Sequence, residues 1–138
     1  MKNLILPTAA LMFSLAGTAF AAGDAEKGKK DFKKCKACHT IASADEVLFK
    51  GGKTGPNLYG VVGRAAGTIE GFRYSASLVQ AGEGGLIWTE ELLTAFIADP
   101  KAFLKETTGD SGAKSKMTFK MKKGENVAAF LASIAPES

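Results

Sequence analysis

Both cysteines and the only histidine of this chain fall within five consecutive residues, Cys35-Lys36-Ala37-Cys38-His39. Two thiols at this spacing, followed at once by an imidazole, match the pattern for covalent haem attachment. The thiols add across the two vinyl groups of a porphyrin, and the next residue then lies beneath the iron with a ring nitrogen to offer. Other uses of the same residues fare worse. A structural zinc site draws four ligands from Cys and His, and the chain has only three such residues outside its carboxylates. A thioredoxin-like dithiol pair needs a strand-helix-strand setting. The flanks here, Lys29 to Lys34 before and a glycine-rich stretch after, do not read as strands.

An iron held by His39 has no second imidazole to call on, so methionine thioether is the leading candidate for the sixth position. Four methionines are present, at 1, 12, 117 and 121. The first two lie in a segment that reads as a leader, which leaves Met117 and Met121. Spacing alone does not separate them: four residues apart, they could share one face of a helix, and either could be a flexible gap-filler. A vacant sixth position would instead imply a ligand-binding protein.

The elements that must position these groups are mostly helical. Lys2, the apolar run Leu4 to Ala16 and the small-x-small triplet Ala19-Phe20-Ala21 fit a secretory leader over residues 1–21, leaving one mature domain over 22–138. The apolar run is shorter than the roughly 20 residues that cross a bilayer. Export bears on the cysteines, because an oxidising compartment would pair free thiols whereas thioethers to haem remove them. Losing Lys2 and no acid lowers the formal charge from +4 to +3.

Asp24 is a plausible N-cap for a first helix carrying Ala25, Gly28 and Phe32 on one face and leading into Cys35. A glycine inside a helix costs about 1 kcal/mol against alanine, so Gly28 on the apolar face implies close approach of another backbone. From Thr40 to Gly71 repeated glycines break any period, and no strand is predicted. So long a loop in a small domain needs something to wrap, and a porphyrin would serve. A short helix is expected over Tyr74 to Gln80. Another begins at the Thr89 cap with Leu92, Leu93, Phe96 and Ile97 on one face, Asp99-Pro100 ends it and caps a further helix to Lys105, and residues 106–116 read as exposed loop. The last helix carries Val127, Phe130, Leu131 and Ile134, with Pro136 as its stop. The fold class is therefore all-α: helices and long loops around one bound group.

With these elements in place the order of motifs carries a resemblance. The C-x-x-C-H pentad, Gly55-Pro56-Asn57-Leu58 with Gly60, Phe72-Arg73-Tyr74, Trp88-Thr89, Asp99-Pro100 and Lys116-Met117-x-Phe119 resemble, in sequence order and over the whole mature chain, the class I c-type cytochromes, most closely the bacterial soluble cytochromes c2. The resemblance implies the small cytochrome c fold with one haem c attached at Cys35 and Cys38, and iron ligated by His39 and Met117, which leaves Met121 as the gap-filler. It further implies that the Pro56 carbonyl accepts from His39, that Tyr74 and Trp88 hydrogen-bond a haem propionate with Arg64 nearby, and that Gly28 and Phe32 cross Phe130 and Leu131. The chain departs from the family at Phe96, where a tyrosine is common, and at Ser115, where threonine is usual. It is also longer than the mitochondrial members between Cys38 and Pro56 and between Pro100 and Met117.

The activity so implied is that of a soluble, monomeric, periplasmic one-electron carrier and not an enzyme. Its expected partners are acidic docking surfaces on membrane redox complexes: a cytochrome bc1-type donor, and a photosynthetic reaction centre or terminal oxidase as acceptor. Lysines 27, 29, 30, 33, 34 and 36 and lysines 114, 116, 120, 122 and 123 flank the two ligand segments and would steer such encounters. The alternative is a small haem enzyme or gas-binding protein with a labile sixth ligand. Nucleic acid fits poorly, since the basic residues lack interleaved aromatics.

Overall fold

A computed structural model describes residues 23–134 and 136. The proposed leader lies outside the described residues. Five α-helices occur among those residues: α1 (Ala25–Asp31), α2 (Ala76–Glu83), α3 (Glu90–Ala98), α4 (Pro100–Thr108) and α5 (Glu125–Ser133). No helix among them is long and apolar enough to cross a membrane.

Local chemistry explains where each helix starts. The Asp24 carboxylate accepts from Lys27 N at 3.1 Å, Ser75 Oγ from Leu78 N at 3.2 Å, Thr89 Oγ1 from Leu92 N at 3.1 Å and Asp99 Oδ1 from Ala102 N at 3.0 Å. Each satisfies an amide that a helix start leaves without an internal partner. Two expectations need correction. The helix expected from Tyr74 begins only at Ala76, because Ser75 is the cap, so Tyr74 precedes it. Helix α4 runs past Lys105 to Thr108, where Gly109 in the left-handed region ends it, so the exposed loop is shorter than predicted.

Helix α1 crosses α5 as the glycine implied. A Cβ on Gly28 would fall onto the Asn126 carbonyl and within 2.8 Å of Phe130 Cβ, and Asp24 N donates to Asn126 Oδ1 at 2.8 Å. A 3₁₀ turn, Phe32–Lys34, continues α1 toward the pentad. Phe32 is fully buried and meets Phe49 edge-on at 5.2 Å and Phe130 at 5.9 Å. A second aromatic group joins α3 to α4, with Trp88 5.2 Å from Phe96 and 5.8 Å from Phe103. Phe96, in the place where a tyrosine is common, is thus a packing residue of the core.

No strand was expected, yet β1 (Ile41–Ala42) and β2 (Val47–Phe49) pair antiparallel, Ile41 opposite Phe49 and Ala42 opposite Val47. Strands of two and three residues are too short to display a period of two. The hairpin occupies the longer stretch between Cys38 and Pro56. Its turn is closed by Ser43, whose N donates to the Glu46 carbonyl at 2.8 Å and whose Oγ accepts from Glu46 N at 3.1 Å.

Candidate haem-attachment site

The pentad is a tight turn hung from the end of α1. Cys35 N donates to the Phe32 carbonyl at 2.8 Å, and the amides of Cys38 and His39 both turn back to the Cys35 carbonyl, at 3.2 and 3.0 Å. The segment 51–55 lies flat against this turn. Gly52 N donates to the Lys36 carbonyl at 2.9 Å and Gly55 N to the Cys38 carbonyl at 2.7 Å, while Thr40 Oγ1 donates to the Gly51 carbonyl at 3.0 Å. Side chains are barred there. A Cβ on Gly51 would strike the His39 and Lys36 carbonyls, one on Gly52 the Ala37 carbonyl, and one on Gly55 the imidazole itself.

His39 is oriented by one bond: its Nδ1 lies 2.8 Å from the Pro56 carbonyl oxygen. A carbonyl only accepts, so Nδ1 carries the proton and the Nε2 lone pair is left for a metal. Burial holds the imidazole below its ordinary pKa, opposed by the bond to Pro56, so the neutral, ligating form is favoured. Burial also pushes the Cys35 thiol up to about 11, assisted by Asp31 and by Cys38. Cys38 is exposed. A thiol so protonated is a poor match for the low-pKa nucleophile of a dithiol oxidoreductase.

A second group gathers beyond Pro56. Arg64 donates from Nη1 to the Tyr59 carbonyl and from Nη2 to the Asn57 carbonyl, both at 3.2 Å. Partial burial lowers its pKa, opposed by a charge interaction with Tyr74. The Tyr74 hydroxyl accepts from Ile69 N at 3.2 Å. Trp88 N donates to the Arg64 carbonyl at 3.0 Å, and Gly63 N to the Trp88 carbonyl at 2.7 Å. Arg64 and Trp88 therefore sit on paired backbone segments.

Met117 and Met121 are each half-buried against the core, but on a segment that is not helical, so they do not share a helix face. The two are held differently. Met121 N donates to the Ile97 carbonyl at 2.9 Å, tying that residue to α3, whereas the Met117 carbonyl accepts only locally, from Ser115 Oγ at 2.9 Å.

The chemistry of the donors fits a haem. Two thiols and a neutral imidazole share one turn, and large apolar side chains, among them Leu58, Tyr59, Leu78, Leu92 and Met117, pack on the core while remaining partly uncovered. Sequence reasoning treated Gly51, Gly52 and Gly55 only as breakers of periodicity. Their clustering between the pentad and Pro56 was the available signal for a segment pressed against it.

An attachment turn behind crossed first and last helices defines a small all-α c-type haem domain, and the comparisons agree. Cytochrome c-551 of Roseobacter denitrificans is 50% identical over 140 aligned positions, covering 100% of this chain and 99% of the relative. Cytochrome c2 of Rhodobacter capsulatus is 56% identical over 122 residues, 87% of this chain and 88% of the relative. The X-ray structure of ferric cytochrome c-550 from Paracoccus versutus superposes with a TM-score of 0.79 at 51% identity, covering 83% of this chain and 99% of that one. No family model matches the chain. The chain belongs to the class I c-type cytochromes, close to cytochrome c2. The cofactor of this family is one covalently attached haem c.

Proposed function

We propose that the protein is a periplasmic one-electron carrier, exported by a leader removed before Ala22, in which Cys35 and Cys38 hold the haem as thioethers and His39 and Met117 ligate its iron. The observation that carries this reading is the His39 contact with Pro56, which fixes the imidazole tautomer and aims its free nitrogen away from the carbonyl. Bound haem supplies a one-electron couple between ferrous and ferric iron.

The protein's own groups tune and protect that couple. The proton on His39 Nδ1 is shared with Pro56, which strengthens the ring as a donor. Met117 adds a soft thioether, which favours the lower oxidation state. Arg64, Tyr74 and Trp88 would receive the propionates, a reading supported by the partial burial that lowers the Arg64 pKa. Exposed lysines before the pentad, such as Lys33 and Lys34, meet acidic surfaces on a bc1-type donor and on a reaction-centre or oxidase acceptor.

Electron transfer between the haem-loaded protein and such a complex tests this. The rate should fall steeply as ionic strength rises, because a ring of exposed charges acts through a field that salt screens. A rate indifferent to salt removes the lysines from docking. Ready binding of carbon monoxide by the ferrous protein at neutral pH would favour the gas-binding alternative over the carrier.

A further inference from the structure

The segment that carries Met117 has no regular secondary structure between α4 and α5, so its geometry depends on the bonds that tether it. Four tethers leave it for other elements. At its start Lys114 N donates to Ser77 Oγ on α2 at 2.9 Å, and Lys116 Nζ donates to the Arg73 carbonyl at 2.8 Å. At its end Lys120 Nζ donates to Asp99 Oδ2 at 2.9 Å, and Met121 N reaches the Ile97 carbonyl at 2.9 Å. Ala113, just before the first tether, is buried, and Gly124, after the last, packs on Ile97.

We infer that Ser77 and Asp99 are positioning residues for Met117: acting through Lys114 and Lys120, they clamp the two ends of its segment and set how readily an outside ligand displaces the thioether. The two clamps stand on different rigid supports, α2 and the α3–α4 junction. Neither residue lies in the attachment turn. The inference rests on Met117 being the sixth ligand. It also divides the second lysine cluster by task. Lys116 and Lys120 have structural partners, so they tether the segment, while Lys122 and Lys123 have none among the described residues and are left for docking.

The mechanism is a local opening. Swinging Met117 off the iron requires residues 114–120 to move, and each tether that must break lowers the population of that open form. A hydrogen bond between a side chain and an exposed backbone amide shifts such a population by about two- to tenfold. An exposed ion pair does less, about twofold.

Imidazole titration of the ferric haem-loaded protein reads this population, since imidazole occupies the iron only when the thioether has left. Ser77→Ala should raise the apparent imidazole affinity about two- to tenfold, and Ser77→Thr, which keeps an acceptor hydroxyl, should restore it. Asp99→Asn retains a cap for α4 but not the charge. Asp99→Asn and Lys120→Gln should each raise the affinity about twofold, and together no more than either alone. Thr108→Ala serves as the control, because its hydroxyl donates to the Leu104 carbonyl and accepts from Asp110 N, and makes no hydrogen bond to residues 114–120. Unchanged affinity in Ser77→Ala, or an equal rise in Thr108→Ala, overturns the inference. The wild-type spectrum separates the two levels: a near-infrared sulfur-to-iron band that survives Met117→Ala defeats the ligand reading, whereas a band lost in Met117→Ala with a null Ser77→Ala result defeats only the clamp.

Discussion

Replacing Gly55 by alanine should damage the haem site from one methyl group. The backbone at Gly55 is not in the left-handed region, so alanine is conformationally permitted and would, on unfolded-state entropy alone, stabilise by about 0.4–1 kcal/mol. The obstacle is the imidazole. The new Cβ would sit 2.6 Å from His39 Nδ1 and 2.8 Å from Nε2, closer than van der Waals contact allows. The ring has little room to yield, because Nδ1 is bonded to Pro56 and the turn behind it is backed by Gly51 and Gly52. Rotating away forfeits a hydrogen bond worth about 1 kcal/mol and leaves its partners unsatisfied at about 1–3 kcal/mol more. After the entropic gain, a net loss of about 2 kcal/mol follows, which is up to about a 30-fold change in the folded-to-unfolded ratio. Guanidinium unfolding of the haem-loaded protein measures it. The reduction potential should rise too, because an imidazole without its Pro56 partner is a weaker donor to ferric iron. Gly84→Ala is the comparison, since its Cβ would meet nothing closer than 3.4 Å, and it should change stability by less than about 0.5 kcal/mol. Equal stabilities and equal potentials for Gly55→Ala and the wild type would refute the reasoning.

Gly28→Ala should also destabilise, although propensity favours alanine by about 1 kcal/mol. The methyl would meet the Asn126 backbone, forcing α1 from α5 at an overpacking cost of about 1–3 kcal/mol or more, and an unfolding midpoint above wild type would contradict this. Asp99 gives a pH prediction. Its carboxyl is held below the ordinary value of 3.8 by Ala102 N–H and by Lys120, so its contribution is complete above that value and is lost as pH falls through the lower folded value. Unfolding midpoints of wild type and Asp99→Asn should therefore differ at pH 7 and converge in strong acid; a gap that does not change with pH would count against it. Thr40→Val removes the hydroxyl that bonds Gly51 in both directions and should cost about 1 kcal/mol, read in the same unfolding assay.

What could be read from sequence was whatever depended on local chemistry. Asp24, Thr89 and Asp99 announced their helices because a cap is a matter of a few adjacent residues, and Gly28 announced the α1–α5 crossing because a glycine on an apolar face has few other uses. The hairpin at Ile41 to Phe49 was not legible, since its strands are too short to show alternation and its pairing is set by Thr40, Asn57 and the glycines around it. The start of α2 was misplaced by two residues because Ser75, not the aromatic before it, satisfies the first amides. At the site, residue types identified the pentad, but the contact of Gly55 with the imidazole and the tethers from Ser77 and Asp99 link residues far apart in the chain. No local pattern encodes such contacts.

The near-infrared spectrum of the ferric haem-loaded protein tests the His39 and Met117 assignment most directly. The wild type and Met121→Ala should both show the sulfur-to-iron charge-transfer band, and Met117→Ala should lack it. Loss of the band in Met121→Ala with retention in Met117→Ala, or its absence from the wild type at neutral pH, would contradict the assignment.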